Sequence, residues 1–309
     1  MALLLATIAV AQPPPADEAE AGTSMSDQEP ITPIPQPPTA DPQKLKLGER
    51  LFGDPRLSAN NNFACSTCHD ISRNGAGGHA PGITDTSAAA TPPLDTLTVF
   101  NAALSFRFGW RGTFRSLTAQ AEASLEGPTS MQTSAKEVVS KLDLDPEMIS
   151  LFRAAYGHGP DRESLLDALV TFEHSLLTPD SRFDRWLKGD ASALSADELE
   201  GYRLFKSLGC SSCHQGVNVG GNLFQQQGVF RPLVATGPKF VRVPSLRNVA
   251  ATAPYFHDGS AATLEQAVDR MAAAQLNRTL TDQQVATLVI FLKTLTGNYR
   301  GRPVVGATP

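Results

Sequence analysis

Apolar residues recur along this chain at the three- and four-residue spacing of amphipathic helices, and they rarely alternate as they do in strands. The pattern predicts helices over residues 44–52, 162–177, 264–271 and 282–295. Ser195 and Glu198 form a capping-box sequence, which predicts a further helix running towards Cys210. The sequence therefore indicates a mainly α fold.

Two long connections between these helices, residues 75–93 and 216–253, are rich in Gly and Pro. Their apolar residues follow neither the helical spacing nor the alternation of strands. Loops of this length inside a compact domain usually have a function. We expect them to wrap a large bound group that replaces part of a conventional apolar core.

The four cysteines of the chain all fall in two copies of the pattern Cys-x-x-Cys-His. The copies consist of Cys65, Cys68 and His69, and of Cys210, Cys213 and His214. This pattern attaches a c-type haem, because two thiols three residues apart add to the two vinyl groups of a porphyrin while the His binds iron. The sequence predicts two covalently bound haem c groups, here the first and second haem, each needing another iron ligand from elsewhere.

A Cys-x-x-Cys pair also occurs in thioredoxin-like redox motifs, in zinc sites and in disulfides. In this chain both pairs are closed by His and no cysteine is left over. These two features together favour haem attachment over the three alternatives.

The start of the chain differs in character from the rest. Residues 2–10 are small or apolar and Ala9-Val10-Ala11 has the pattern of a signal-peptidase site, although a basic n-region is missing. We predict a signal peptide over residues 1–11 and export to the periplasm. Residues 12–42 are rich in Pro, Thr, Ser and acids, which predicts a disordered linker. No later segment is apolar for long enough to span a membrane.

The remaining length is enough for two domains of ordinary size. We predict two cytochrome c-like domains, over residues 43–185 and 186–300, and a tail over residues 301–309. Apart from the haem sequences, no internal repeat is evident. The formal charge of −5 argues against nucleic acid or an anionic membrane as a partner, and it would suit a basic electron donor.

Several further segments resemble the bacterial di-haem cytochrome c peroxidases, the group that also contains MauG. They are residues 47–52, 54–58, 177–184, 243–248 and 253–259. The resemblance implies hydrogen peroxide as the substrate and a small c-type cytochrome or copper protein as the electron donor. The family often forms homodimers.

In this family the second haem has the higher potential and stores an electron. The resemblance implies His214 and Met271 as its iron ligands, and a thioether ligand raises the potential relative to a second imidazole. The alternative for Met271 is simple helix packing. MauG has Tyr at this position, so Met271 counts against a MauG-like site.

The first haem carries out the peroxide chemistry in the family. The resemblance implies His69 as one ligand and His79 as a second ligand that leaves when the other haem is reduced, which opens the iron. The loop from His69 to His79 is shorter than in the family, and the alternative for His79 is an exposed loop residue.

The resemblance also implies two further features: a residue that lies between the two haems, and a calcium site. Trp110 matches the family's bridging Trp, where an indole shortens the gap that an electron crosses; the alternative is an aromatic residue packed between domains. Asp95 stands where the family usually has Asn, and Thr252 and Pro254 would offer backbone carbonyls. Oxygen ligands of this kind suit Ca²⁺.

The peroxidatic pocket of the family pairs a Gln with a Glu ten residues later. Here Gln120 is present, but Ser130 replaces the Glu. Cleavage of bound peroxide asks for a base that accepts and returns a proton, and its loss typically slows a reaction by about 10²- to 10⁴-fold. Glu122 or Glu126 could supply a carboxylate if the loop were rearranged.

Two functions from different classes follow. The first is a periplasmic peroxidase that reduces hydrogen peroxide to water. The second is a di-haem electron-transfer or redox-sensing protein, or a MauG-like oxidase of a partner, with weakened peroxidase activity. His79, Gln120, Trp110 and Met271 favour the first function, whereas Ser130 favours the second.

Overall fold

The computed structural model describes residues 29–77, 95–235 and 237–306. The signal peptide predicted over residues 1–11 and the predicted ligand His79 lie outside these ranges. Within them the fold is helical, with two short antiparallel strand pairs. None of the described helices has both the length and the apolar character needed to cross a bilayer. The prediction of a mainly α fold is confirmed.

The helices divide between the two halves of the chain. The first half contains α1 Pro42–Phe52, α2 Cys65–Cys68, α3 Leu117–Glu126, α4 Ala135–Leu142, α5 Pro146–Tyr156 and α6 Arg162–Ser175. The second half contains α7 Arg182–Leu187, α8 Ala196–Ser207, α9 Leu264–Leu276 and α10 Asp282–Lys293. The strand pairs are β1 Phe224–Gln226 with β2 Phe240–Arg242, and β3 Asn298–Tyr299 with β4 Arg302–Pro303.

Local sequence signals explain most of the helix starts. The Ser195 hydroxyl accepts a hydrogen bond from the backbone N–H of Glu198, whose carboxylate in turn accepts one from the Ser195 N–H, as the capping-box sequence predicts. Thr281 caps α10 in the same way. Helices α3, α4, α5 and α7 were not predicted from the sequence.

Each half contains a helix crossing of the same kind. Gly48 of α1 meets α6 where an added Cβ would lie 2.0 Å from the Ala168 carbonyl oxygen and 2.8 Å from Phe172 Cβ. Gly201 of α8 meets α10 in the same manner, and its Cβ would lie 2.8 Å from Phe291 Cβ. Both glycines belong to a Gly-x-Arg-Leu-Phe sequence, residues 48–52 and 201–205. This is an internal repeat, and the expectation that none exists was wrong.

Thr178 is one point at which buried hydrogen bonds join the two halves. Asn101 and Asn248 both adopt a left-handed conformation, and each precedes a single 3₁₀ turn in its own half. Their side-chain amides donate hydrogen bonds to the same Thr178 hydroxyl, at 2.8 and 2.9 Å. The two related halves therefore meet at Thr178, where all three side chains are buried.

Residues 29–34 pack against the second half of the chain, unlike the disordered linker predicted over residues 12–42. Ile31 and Ile34 are fully buried, and the Ile34 N–H donates to the Asp184 carboxylate at 3.1 Å. Asp184 also forms a buried ion pair with Arg247. The composition of this segment is that of a linker, but two isoleucines three residues apart are enough to cover an apolar surface.

The domain limits also differ from the predicted ones. Phe183 is buried in the core of the second half, so that core begins before residue 185. At the other end, Val304 lies in an apolar cluster with Phe52 and Phe100 of the first half. The Arg300 guanidinium binds the Glu49 carboxylate at 2.7 and 2.8 Å. The tail predicted from residue 301 is thus part of the fold through residue 304.

Candidate haem centres

Both Cys-x-x-Cys-His sequences fold as a single helical turn. In α2 the backbone N–H of His69 donates to the Cys65 carbonyl at 2.9 Å. In the 3₁₀ turn Cys210–Ser212 the N–H of His214 donates to the Cys210 carbonyl at 3.0 Å. The turn keeps each His beside its two thiols, and the cysteines are not joined in disulfides.

Both predicted iron-binding histidines are held by a backbone carbonyl. The Nδ1–H of His69 donates to the Gly75 carbonyl at 3.1 Å, and that of His214 donates to the Val219 carbonyl at 3.2 Å. Because a carbonyl can only accept, Nε2 is left as the nitrogen that can bind a metal. Burial lowers the pKa of both rings, that of His214 to about 4, which keeps them in the neutral form that a ligand needs.

A cleft in the second half, here the second-haem cleft, contains both His214 and Met271 along its walls. Its other walls are largely apolar and come from α8, α9, α10 and the loop before α9; they include Phe205, Leu246, Val249, Leu264, Leu288 and Leu292. Burial raises the pKa of the Cys210 thiol to about 11. These residues fit a haem: an apolar slot, two thiols, an imidazole with Nε2 available, and a half-buried thioether. The assignment of Met271 as a ligand stays a prediction.

Trp110 lies at the end of the second-haem cleft that faces the loop following His69. Its indole N–H donates to the Asp95 carbonyl at 2.8 Å, and its ring meets the His257 ring edge-on with centroids 6.2 Å apart. Asn74 and Gly77 line the same end of the cleft. The position suits a residue between two haems, and the bridging role stays a prediction.

The three residues predicted for calcium all belong to the lining of the second-haem cleft. Asp95, Thr252 and Pro254 all line it, and the Asp95 N–H donates to the His257 carbonyl at 2.7 Å. Among the described residues no three His, Cys, Asp or Glu side chains cluster as a metal site. A cation here would therefore rely on the Asp95 carboxylate and on backbone carbonyls. Calcium stays a prediction.

The predicted pocket residues Gln120 and Ser130 meet at Ser124. The Gln120 side-chain amide donates to the Ser124 hydroxyl at 2.8 Å, and the Ser130 hydroxyl donates to the Ser124 carbonyl at 2.6 Å. The Ser130 hydroxyl also approaches the Gly127 carbonyl, at 3.2 Å. Ser130 therefore closes the turn that ends α3, and its proton is committed to the backbone.

Neither of the two nearby glutamates replaces the missing carboxylate. Glu122 is held by Arg162 of α6 through two hydrogen bonds of 2.6 and 2.5 Å. Since Glu122 follows Gln120 by two positions, the two side chains leave the helix in different directions. Glu126 is exposed and lines a shallow hollow with Glu137. The suggestion that Glu122 or Glu126 takes over the role finds no support in this arrangement.

One acidic residue near the first haem peptide, Glu173, was not predicted from the sequence. Glu173 of α6 acts electrostatically on Cys65, whose pKa burial raises to about 12. The pKa of Glu173 itself is raised to about 7 by burial. A signal was present, because Glu173 follows Phe172 in a buried stripe, where a charged residue is unexpected.

Comparison with known proteins identifies similar chains for both halves. Residues 42–192 match the family described as di-haem cytochrome c peroxidase, and residues 199–296 match cytochrome c. The cytochrome c551 peroxidase of Nitrosomonas europaea is 38% identical over 292 residues, which cover 89% of this chain and 86% of that protein. MauG of Methylorubrum extorquens is 33% identical over 85% of this chain and 81% of its own length.

Solved structures give the same grouping. A MauG-like protein associated with microbial copper homeostasis superposes with a TM-score of 0.70 at 27% identity, over 85% of this chain and 93% of that one. The di-haem peroxidase BthA of Burkholderia thailandensis superposes with a TM-score of 0.67 at 20% identity, over 84% and 87%. At that identity the second likeness concerns the fold alone.

Proposed function

Since this chain belongs to the di-haem cytochrome c peroxidase family, we propose that it reduces hydrogen peroxide to water in the periplasm with electrons from a small c-type cytochrome or a copper protein. The chain is a peroxidase-type oxidoreductase with two haem c groups. The observation that carries the proposal is the inequality of its two haem centres. One has a His and a Met facing a shared apolar cleft, and the other lies in the half that contains Gln120.

The residues of the chain divide the work between the two centres. When bound, the haems supply an electron store and an iron that reacts with peroxide. His214 and Met271 would hold the second haem, with the Val219 carbonyl fixing the imidazole. His69 would hold the first, fixed by the Gly75 carbonyl. Trp110 would lie between them, and its indole is oriented by the Asp95 carbonyl.

The first haem centre lacks a side chain suited to proton transfer among the residues predicted for it. At the first haem Gln120 would offer an amide N–H, but its amide cannot accept and return a proton at neutral pH. The Ser130 hydroxyl donates its hydrogen bond to the Ser124 carbonyl. This observation favours a second candidate, an electron-transfer protein or a MauG-like oxidase of a partner that has little peroxidase activity.

A stopped-flow experiment separates the two candidates. Half-reduced protein is mixed with hydrogen peroxide and a reduced small cytochrome c, and the oxidation of the cytochrome is followed. A peroxidase turns over far faster than free haem, and Ser130→Glu should then add a further 10²- to 10⁴-fold at most, the usual range for acid–base help. If the native protein does not turn over and Ser130→Glu does, the peroxidase proposal for this chain fails.

We infer that the donor docks on an aromatic patch formed by Phe106, Phe224 and Phe240, which are 50%, 41% and 56% exposed. The rings of Phe106 and Phe224 lie 5.8 Å apart, and Phe240 lies on the same face of the β1–β2 pair. The β1–β2 pair is hydrogen-bonded to the C-terminal turn of α9, where the Gln275 side-chain amide donates to the Gln226 carbonyl at 2.9 Å. Since α9 also contains Met271, the patch lies beside the second-haem cleft.

The charge around this patch indicates an acidic donor rather than the basic one suggested by the net charge. Segments 96–121 and 207–241 contain five Lys and Arg residues and no Asp or Glu, in a chain of net charge −5. Arg231 and Lys239, beside the patch, are exposed. A two-fold contact between copies of the chain would set these cations against each other, which disfavours a homodimer through this surface.

A further inference from the structure

Among the described residues, the carboxyl group of Glu173 has one fully buried oxygen and none of the partners that such groups normally have. Its Oε2 is inaccessible to solvent and accepts no hydrogen bond in the described part of the chain. No described cation pairs with it, and burial raises its pKa to about 7. Burying an unpaired carboxyl costs free energy, so its position calls for a reason.

The surroundings of Glu173 belong to the first haem peptide. Phe172 of α6 and Leu176, which directly follows the helix, lie in an apolar cluster against which Cys65 packs. Burial raises the pKa of the Cys65 thiol, and the Glu173 carboxylate acts on that thiol in the same direction. Cys65 is a haem-attachment residue, so the carboxyl group lies near one edge of the first haem's position.

The repeat between the two halves locates Glu173 more closely. Phe172 and Phe291 are equivalent, because each places its Cβ against the glycine of a Gly-x-Arg-Leu-Phe helix. The residue that follows is Glu173 in the first half and Leu292 in the second. Leu292 lines the second-haem cleft together with Cys210 and His214. By this equivalence, Glu173 lines the position of the first haem.

We propose that Glu173 presents a carboxylate to the first haem and thereby lowers its reduction potential relative to the second haem, which faces Leu292 instead. A negative charge in a medium of low dielectric stabilises ferric over ferrous iron, because the oxidised centre is more positive. Oxidised first haem and reduced second haem is the arrangement in which the second stores an electron. The inference rests on the proposed division of work between the haems.

Spectroelectrochemical titration of the haem-loaded protein tests this proposal. The two reduction potentials are measured at about pH 8, above the pKa of Glu173, in the native protein, Glu173→Gln and Glu173→Leu. The potential of the first haem should rise in both variants, and that of the second should not change. The matched control is Glu163→Gln, which removes an exposed carboxylate from the same helix and should leave both potentials unchanged.

The outcomes distinguish electrostatic tuning from a purely structural role. Haem content and thermal unfolding are measured alongside, since a structural defect would alter these and shift both potentials. If both haems are bound and the first potential in Glu173→Gln equals that of the native protein, the proposal is wrong. No peroxide enters this titration, so the absence of peroxidase activity would sink the proposed function and leave the result on Glu173 intact.

Discussion

A single buried carboxyl group gives the protein a testable dependence of stability on pH. Burial raises the pKa of Glu173 from 4.5 to about 7. Below the lower value the group is protonated in the folded and unfolded states alike and has no effect. As the pH rises from 4.5 to about 7, the unfolded state loses this proton while the folded state keeps it, so stability falls, and it levels off above about 7.

Thermal unfolding of the haem-loaded protein, followed by circular dichroism, measures this effect. The melting temperature of the native protein should fall relative to that of Glu173→Gln as the pH is raised from about 5 to about 8. Glu163→Gln, which changes an exposed carboxyl group, should follow the native curve. Parallel curves for the native protein and Glu173→Gln would contradict the assignment.

A second prediction at the residue scale concerns Met271. If its sulfur binds the second haem, Met271→Ala should abolish the weak near-infrared sulfur-to-iron band and lower one haem potential, because a thioether favours ferrous iron. Met148 is fully buried in the first half and provides a control. Met148→Leu should keep the band, and an unchanged spectrum in Met271→Ala would remove Met271 from the ligands.

At the scale of elements, the fold depends on two glycines that let helices touch. A methyl group on Gly201 would lie 2.4 Å from the Thr287 carbonyl oxygen and 2.8 Å from Phe291 Cβ. Gly201→Ala should therefore push α8 and α10 apart and destabilise the protein by about 1–3 kcal/mol, the usual cost of overpacking. Chemical denaturation measures the change.

A control for this substitution exists at the end of α1. Gly53 has a negative φ of −95°, and the nearest atom to an added Cβ lies 3.9 Å away. Gly53→Ala should change the free energy of unfolding by no more than a few tenths of a kcal/mol, as is usual for substitutions away from such contacts. Equal effects of the two substitutions would show that helix contact is not the reason for glycine at residue 201.

The elements also show how far sequence patterns reach. Helices α1, α6, α8, α9 and α10 could be predicted, because their caps and apolar stripes are encoded in neighbouring residues. The relation between α1 and α8 could have been found from the repeated Gly-x-Arg-Leu-Phe sequence. The contacts that explain the two glycines could not have been found in this way, since they are made with α6 and α10, which are distant in sequence.

At the scale of the whole molecule, the uneven charge distribution predicts how the donor binds. Lys239→Glu combined with Arg231→Glu should raise the KM for an acidic donor by a factor of ten or more, since about 1.4 kcal/mol of lost attraction is tenfold in affinity. The kcat should stay within about twofold, because rim charges act mainly on encounter.

Steady-state oxidation of reduced donors at low and high salt checks this prediction. Lys136→Glu, an exposed change on α4, is the matched control and should leave the KM near the native value. Salt should weaken the native interaction with an acidic donor and leave the double variant almost insensitive. A native preference for a basic donor, or a salt-dependent dimer lost in the double variant, would overturn the proposed docking surface.

The sequence by itself determined the two haem attachment sites, the helical class and the family. Each of these is encoded in residues close together along the chain: five-residue haem peptides, helical periodicity and short motifs in a fixed order. The replacement of a Glu by Ser130 was also visible there.

Only the tertiary structure decided what surrounds these motifs. Three features join residues far apart in the sequence: the packing of residues 29–34 on the second half, the meeting of Asn101 and Asn248 at Thr178, and Glu173, which has a buried Oε2 and whose carboxylate acts on Cys65. Their effects depend on burial and distance, because desolvation and electrostatic attraction act through space rather than along the chain. The same reason explains why the two similar haem peptides have different environments.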